Sequence, residues 1–177
     1  PGYLIFFVTP HCNCRCRMCF NTPVIKNAAA RNVLTIDEIE RIARNFKGLH
    51  QVNFSGGEPF LRPDFKDVPG LFYKYSGTRM FTIPTNSSLP ERSEEAIRTI
   101  CDQCPDAWVR ITQSLDGVGN LHDEIRGFSG LFERVVDLNS RLTRLRREYP
   151  QLSNGIAMVL SSFNRGHEYE LLDYVCA

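Results

Sequence analysis

Four cysteines lie within eight residues near the start of the chain, and they constrain it more than any other feature. Three of them, Cys12, Cys16 and Cys19, have the spacing C-x3-C-x2-C and directly follow an apolar segment, residues 3–8. Thiolates are soft ligands, and three of them at one point favour an iron–sulfur cluster or zinc. A [4Fe-4S] cluster has four irons, so three cysteines leave one iron without a protein ligand. Because an open coordination position is typical of reactive metal sites, the spacing predicts catalysis.

The remaining cysteines leave other interpretations open. With Cys14 included, the string C-x-C-x-C-x2-C could close a structural zinc site with four thiolates. One residue between successive cysteines is poor spacing for a zinc knuckle, so we expect Cys14 to be a spectator thiol. Cys101 and Cys104 form a C-x2-C on the apolar face of a predicted helix, which favours packing over metal binding.

The composition is ordinary for one globular domain: 177 residues, 42% hydrophobic and 23% charged. A net charge of +1 gives no electrostatic case for nucleic acid or an anionic membrane surface. No apolar run approaches the roughly 18–20 residues that cross a bilayer, and the apolar start lacks the flanks of a signal peptide. Seven cysteines, an odd number with four crowded together, favour metal binding in a reducing compartment over disulfides. We therefore predict a cytoplasmic protein.

Strand-like and helix-like segments alternate along the chain, as in βα units around a parallel sheet. The first helix is predicted to begin at a capping box, Thr35-Ile36-Asp37-Glu38, and to stop by Gly48. The second is predicted to be broken or kinked at Pro69. The predicted strands are residues 2–9, 51–55, 79–85, 107–114 and 155–160, and the later helices are 63–75, 90–104, 131–147 and 167–175.

The cysteine spacing resembles the cluster motif of the radical S-adenosylmethionine (radical SAM) enzymes, and three later segments extend the resemblance. Ser55-Gly56-Gly57-Glu58-Pro59 looks like the family's Gly-Gly-Glu-Pro segment, and Thr85-Asn86 resembles the Thr-Asn-Gly end of its third strand. Ser114-Leu115-Asp116-Gly117, followed by residues 122–127, looks like the SPASM-like branch, which modifies peptides or builds cofactors. The segment 53–61 also resembles the antiviral nucleotide-modifying branch, but the later motifs fit the first branch better.

The resemblance implies an α/β fold: a partial, TIM-like parallel (β/α) barrel of about five to six βα units, open on one side. The family usually has six units, whereas the sequence predicts five, and the chain begins at Pro1 rather than methionine. We therefore expect residues 1–177 to form one radical SAM core domain, trimmed or lacking the last unit and any auxiliary cluster domain. A naturally minimal domain is the alternative.

The resemblance also implies the activity. Cys12, Cys16 and Cys19 would ligate a [4Fe-4S] cluster whose fourth iron binds the methionyl part of S-adenosylmethionine (SAM). Reductive cleavage would give a 5′-deoxyadenosyl radical, which takes a hydrogen atom from a peptide or cofactor-precursor substrate. The expected electron donor is of the flavodoxin or ferredoxin type. The alternative is a non-catalytic module with structural zinc or iron–sulfur, but such a module has no need of a methionine-binding loop like Gly56–Pro59.

Residue roles follow from the same resemblance. Gly56 and Gly57 would let the bound methionyl group approach the backbone closely, because they have no Cβ. Glu58 would accept a hydrogen bond from its ammonium or brace the loop, and Pro59 would stiffen the segment. Ser114 and Arg126 would meet the SAM carboxylate or ribose, where the guanidinium offers a two-pronged donor.

Other assigned positions carry explicit alternatives. Arg126 could instead pair on the surface with Glu124 or Asp123. Asn86 would bind ribose or the methionyl group, or only shape a turn, and Ser87 stands where the family usually has glycine. Asp116-Gly117 could equally be only a turn. The apolar groups expected near the adenine are Met18, Phe20 and Met158, of which Met158 could also be simple core.

Overall fold

Five parallel strands form a single sheet in the order β1-β2-β3-β4-β5. The computed structural model describes residues 2–30 and 33–177. Within these residues β1 and β5 are the two edges, so the sheet does not close on itself. This open, all-parallel arrangement confirms the predicted partial α/β barrel. The strands are β1 Gly2–Thr9, β2 Leu49–Gly56, β3 Met80–Thr85, β4 Trp108–Ser114 and β5 Leu152–Ala157.

Helices connect the strands and cover one face of the sheet. They are α1 Thr22–Lys26, α2 Ile36–Asn45, α3 Val68–Tyr75, α4 Pro90–Gln103, α5 Asn120–Arg126, α6 Leu131–Leu145 and α7 Glu168–Cys176, with short 3-10 turns at Ala28–Ala30, Pro59–Leu61 and Phe65–Asp67. The capping box at Thr35 is present, as predicted. None of the helices in the described part of the chain is long and apolar enough to cross a membrane.

Alternation along the strands separates a buried face from an open face. Phe6 and Val8 of β1 are buried in the core, whereas Ile5 and Phe7 are 52% and 50% exposed. Successive side chains of a strand point to opposite faces, so the helices cover only one of the two. We call the other the open face. Its middle row crosses the sheet through the paired residues Ile5, Asn53, Thr82, Arg110 and Ser153.

The core beneath β2 is dominated by aromatic rings centred on Phe54, which is fully buried. Its ring packs edge-on against Phe65 and Phe72, with centroid distances of 5.7 Å in both cases, and stacks on Phe81 at 5.8 Å. Aromatic pairs at these separations each add about 0.5–1.5 kcal/mol beyond their buried area. Because Phe54 lies two residues before Gly56, this packing fixes the end of β2.

The structure corrects three elements of the sequence-based prediction. β5 begins at Leu152, three residues earlier than predicted, because Leu152 pairs with Val109 and fills the core although polar residues follow it. α3 begins at Val68 rather than at residue 63, because the segment is broken just before Pro69, as predicted: the 3-10 turn Phe65–Asp67 precedes the break, and Pro69 lies in the first turn of α3, where no amide is needed. The helices α1 and α5 were not predicted, since five and seven residues are too short for helical periodicity to stand out.

Candidate metal centre

The loop between β1 and α1 surrounds a cavity of about 580 Å³. Cys12, Cys14, Cys16 and Cys19 all line it, so the three predicted ligands are brought to one place. A single tetrahedral zinc ion, with Zn–S bonds of about 2.3 Å, would hold its sulfur ligands only about 3.8 Å apart. Among residues 2–30 and 33–177, no three His, Cys, Asp or Glu side chains are arranged to hold one metal ion. Soft donors around a cavity of this size fit a multi-iron cluster.

Two of the predicted ligands are placed in surroundings that favour the thiolate. The pKa of Cys16 is lowered to about 6, first by a hydrogen bond from Cys14 and further by the neighbouring Arg126 guanidinium. The pKa of Cys12 is lowered to about 7, again mainly by a hydrogen bond from Cys14. The pKa of Cys14 is raised, because these bonds favour its protonated form. Since metals bind thiolates, Cys12 and Cys16 are suited to ligation, whereas Cys14 is a buried thiol donor between them.

The Gly56–Glu58 segment pairs with the backbone of the cysteine loop. Gly57 N donates to Thr9 O and Glu58 N donates to His11 O, both at 2.8 Å. A Cβ on Gly57 would lie 1.9 Å from His11 O, and one on Gly56, whose φ is +118°, would lie 2.4 Å from Thr9 O. The absent side chains therefore make room for the cysteine loop. The expected close approach of SAM to the same glycines stays a prediction.

Glu58 is 2% exposed and joins this segment to the end of β3. Its Oε1 accepts from Thr85 Oγ1 at 2.8 Å and from Phe60 N at 3.3 Å, while Oε2 accepts from Asn86 N at 2.7 Å. Burial raises the pKa of Glu58 to about 7, although these three hydrogen bonds oppose that effect. The sequence left two roles open for Glu58, to accept a hydrogen bond from the SAM ammonium or to brace the loop, and these bonds are those of a brace. Pro59, also buried, begins the 3-10 turn that follows.

The loop after β3 reaches the first predicted ligand. Asn86 Nδ2 donates to Asn13 Oδ1 at 2.9 Å and lies 3.8 Å from Cys12 Sγ, within hydrogen-bonding range of sulfur. Ser87, where the family usually has glycine, has φ +63° and is the single non-glycine residue with positive φ in the described chain. This left-handed conformation costs roughly 1–2 kcal/mol. The loop thus keeps a glycine-like backbone at Ser87 despite the serine.

Arg126, at the end of α5, reaches the second predicted ligand. Its Nη1 lies 3.6 Å from Cys16 Sγ, and its Nε donates to Asp116 Oδ2 at 2.5 Å. Arg126 is 9% exposed and Asp116 is fully buried. The surface pair with Glu124 or Asp123 that the sequence left open is therefore not formed. The buried partner of Arg126 is Asp116, which the sequence could not distinguish from a turn residue. The only sequence signal for this pair was the position of Asp116 shortly before His122 and Arg126.

The remaining predicted residues are less closely gathered. Ser114 ends β4 opposite Ala157 and shares the open face with Arg110. Met18 is half-buried next to Cys19, whereas Phe20 is 83% exposed. Met158 lies beyond the end of β5 and packs against a small cluster formed by Leu115, Val135 and Leu171, which matches its core alternative.

Comparison with known proteins identifies the family. The model of the Radical SAM superfamily matches residues 6–175, nearly the whole chain. The chain belongs to the radical SAM superfamily. This confirms the resemblance inferred from the motifs, and members of the superfamily are enzymes that use a [4Fe-4S] cluster and SAM.

Two curated relatives match different lengths of the chain. The chain is 34% identical over 87 residues to molybdenum cofactor biosynthesis protein 1 of Homo sapiens, which covers 48% of the chain and 14% of that protein. It is 28% identical over 167 residues to GTP 3′,8-cyclase of Actinobacillus pleuropneumoniae, which covers 89% of the chain and 49% of that protein. The radical SAM chain thus spans about half or less of the curated relatives it matches.

Solved structures share the fold. The anSMEcpe protein with bound AdoMet superposes with a TM-score of 0.72 at 21% identity, covering 99% of this chain and 48% of that one. The same protein with AdoMet and the Cp18Cys peptide gives a TM-score of 0.69 at 20% identity, with 99% and 47% covered. At this level of identity the likeness shows a shared fold and nothing further.

Proposed function

We propose that this chain is the core of an enzyme that holds a [4Fe-4S] cluster through Cys12, Cys16 and Cys19 and cleaves SAM reductively. The single observation that carries the proposal is that all three cysteines line one cavity in a radical SAM fold. When bound, the cluster would supply one electron to the sulfonium of SAM, so that a C–S bond would break to give methionine and a 5′-deoxyadenosyl radical, which would take a hydrogen atom from the substrate.

The protein's own contribution is to prepare the ligands and hold the loop in place. Asn86 Nδ2 lies 3.8 Å from Cys12 Sγ and Arg126 Nη1 lies 3.6 Å from Cys16 Sγ, so each of these donors would stabilise a thiolate that ligates iron. The two backbone bonds to Gly57 and Glu58 fix the loop against β2. A loop held in this way would keep its cysteines in one position for a bound cluster, as orientation of reactants requires.

SAM-binding groups are proposed where the strands end beside this loop, since parallel barrels place their active sites at the carboxyl ends of their strands. Asn86 after β3, Ser114 at the end of β4 and Arg126 after it are candidates for the polar parts of SAM. Gly56, Gly57, Glu58 and Pro59 would position its methionyl end. Met18, half-buried beside Cys19, is the better candidate for apolar contact; Phe20 and Met158 are weaker ones because of their exposure and core packing.

The substrate proposal rests on the relatives. Those with the higher sequence identity are named for molybdenum cofactor biosynthesis and for GTP 3′,8-cyclisation, which favours a cofactor precursor. A peptide is the second candidate, because a structure of similar fold contains a bound peptide. We further propose a one-electron donor of the flavodoxin or ferredoxin type and a cytoplasmic location, in line with seven cysteines that form no disulfide in the described residues.

Anaerobic reconstitution with iron and sulfide, followed by reduction and EPR with and without SAM, tests this function. We expect a [4Fe-4S] signal that changes when SAM is added, and production of 5′-deoxyadenosine. Cys16→Ala should lose the cluster, whereas Cys101→Ala, a change at a buried cysteine of α4, should keep it.

Two outcomes would contradict the proposal. A Cys16→Ala variant with wild-type iron content would show that Cys16 is not a ligand. Retention of one zinc ion that depends on all four cysteines of the loop, tested with Cys14→Ala, would support the structural metal module instead.

A further inference from the structure

A buried ion pair lies directly behind one of the proposed cluster ligands. Asp116 is fully buried, and its Oδ2 accepts from Arg126 Nε at 2.5 Å. The next nitrogen of the same guanidinium, Nη1, is 3.6 Å from Cys16 Sγ. Arginine presents its donors in a rigid, planar fork, so fixing Nε also fixes the direction of Nη1.

Asp116 is itself held through both its carboxylate and its backbone. Oδ1 accepts from Val159 N at 2.8 Å, and Asp116 N donates to His122 Nδ1 at 3.0 Å. Burial lowers the pKa of His122 to about 4, so its ring is neutral and can accept this bond. Asn164 Nδ2 donates to Asp116 O at 3.1 Å. Contacts from α5 and from residues that follow β5 therefore hold Asp116 in place just beyond the end of β4.

The cysteine loop is attached to the same helix end through the backbone. Arg15 N donates to Arg126 O and Arg17 N donates to Ile125 O, both at 2.9 Å. Cys16 lies between these two anchored residues. Its sulfur and the Arg126 guanidinium are thus held by the same contacts and have little freedom to move apart.

We infer that Arg126, positioned by Asp116, donates a hydrogen bond to the Cys16 sulfur in the cluster-loaded protein and raises the reduction potential of the cluster. This inference rests on the proposed function. Reduction adds negative charge to the cluster and its thiolates, so a cationic donor stabilises the reduced form more than the oxidised form. It gives Arg126 an electrostatic role that is independent of SAM and distinct from the SAM contact implied by the family resemblance, and it makes Asp116 the positioning residue.

Redox titration of the reconstituted wild-type chain, followed by EPR in the absence of SAM, tests the role. Arg126→Gln is expected to have a more negative midpoint potential than the wild type, at comparable iron content. Arg126→Lys keeps the charge but cannot span both Asp116 and Cys16, so its midpoint should lie between the two. Arg15→Gln is the matched control, since Arg15 lines the same cavity but donates no side-chain hydrogen bond to a sulfur in the described structure.

An unchanged midpoint in a loaded Arg126→Gln variant would overturn the inference. So would an equal shift in Arg15→Gln, because the effect would then come from net charge alone. If Arg126→Gln retains no cluster, the midpoint potential of Arg126→Lys decides instead. A value equal to that of the wild type would then overturn the inference. Failure of the wild-type chain to assemble a cluster would instead refute the proposed function, so the two failures are distinguishable.

Discussion

Replacement of Gly57 by alanine tests the contact between the Gly-Gly segment and the cysteine loop. The new Cβ would lie 1.9 Å from His11 O, and real Cβ atoms essentially never come closer than 3.0 Å to such an atom. The atoms nearest to the new Cβ all belong to the backbone of His11 and Cys12, so no side chain can rotate away to relieve the clash. The two segments must separate until the bonds Gly57 N to Thr9 O and Glu58 N to His11 O, each 2.8 Å, are broken.

The expected cost follows from these contacts. Overpacking costs about 1–3 kcal/mol, and two lost hydrogen bonds add about 1 kcal/mol each. We therefore expect Gly57→Ala to lower the free energy of unfolding by about 3–5 kcal/mol. Urea unfolding of the metal-free chain, followed by far-UV circular dichroism, measures the loss, and iron content after reconstitution should fall because the cysteine loop is displaced.

Gly70→Ala is the matched control for Gly57→Ala. Its Cβ would also meet an oxygen closely, at 2.4 Å, but this is Gln103 Oε1 at the flexible end of a side chain. Gly70 lies in α3, where alanine is favoured over glycine by up to about 1 kcal/mol. We expect no loss of stability at this position. A loss below about 1 kcal/mol in Gly57→Ala, on the scale of one net hydrogen bond, would refute the steric argument.

Two further predictions concern stability. Glu58 has a pKa of about 7 in the folded protein, above its ordinary value of 4.5, so the folded state binds more protons and this group's stabilising contribution is lost as pH rises from about 4.5 through 7. Glu58→Gln should remove that dependence, so the free energy of unfolding of the variant should rise relative to that of the wild type as pH rises from about 4.5 to 7. A difference between the two proteins that stays constant across this pH range would contradict the raised pKa of Glu58. Thr35→Ala removes the hydroxyl that accepts from Glu38 N and should cost about 1 kcal/mol in urea unfolding. An unchanged midpoint would show that the capping box contributes nothing.

Local patterns in the sequence were sufficient for most of the fold. Strand-like segments that alternate with helix-like ones predicted all five strands, and the capping box predicted the start of α2, because these signals depend on residues close together in the chain. The boundary of β5 could not be read in this way. Its polar residues 153 and 154 belong to the strand only because β4 lies beside them and pairs with them.

The same division holds for the metal centre. The spacing of Cys12, Cys16 and Cys19 predicted a shared cavity, since the three lie in one short loop. What the surrounding groups do was decided by tertiary structure. Glu58 meets Thr85 across 27 residues of sequence, and Arg126 meets Cys16 across 110. Contacts of this range leave no periodicity in a sequence, because they arise only when parallel strands bring their carboxyl ends to the same edge of the sheet.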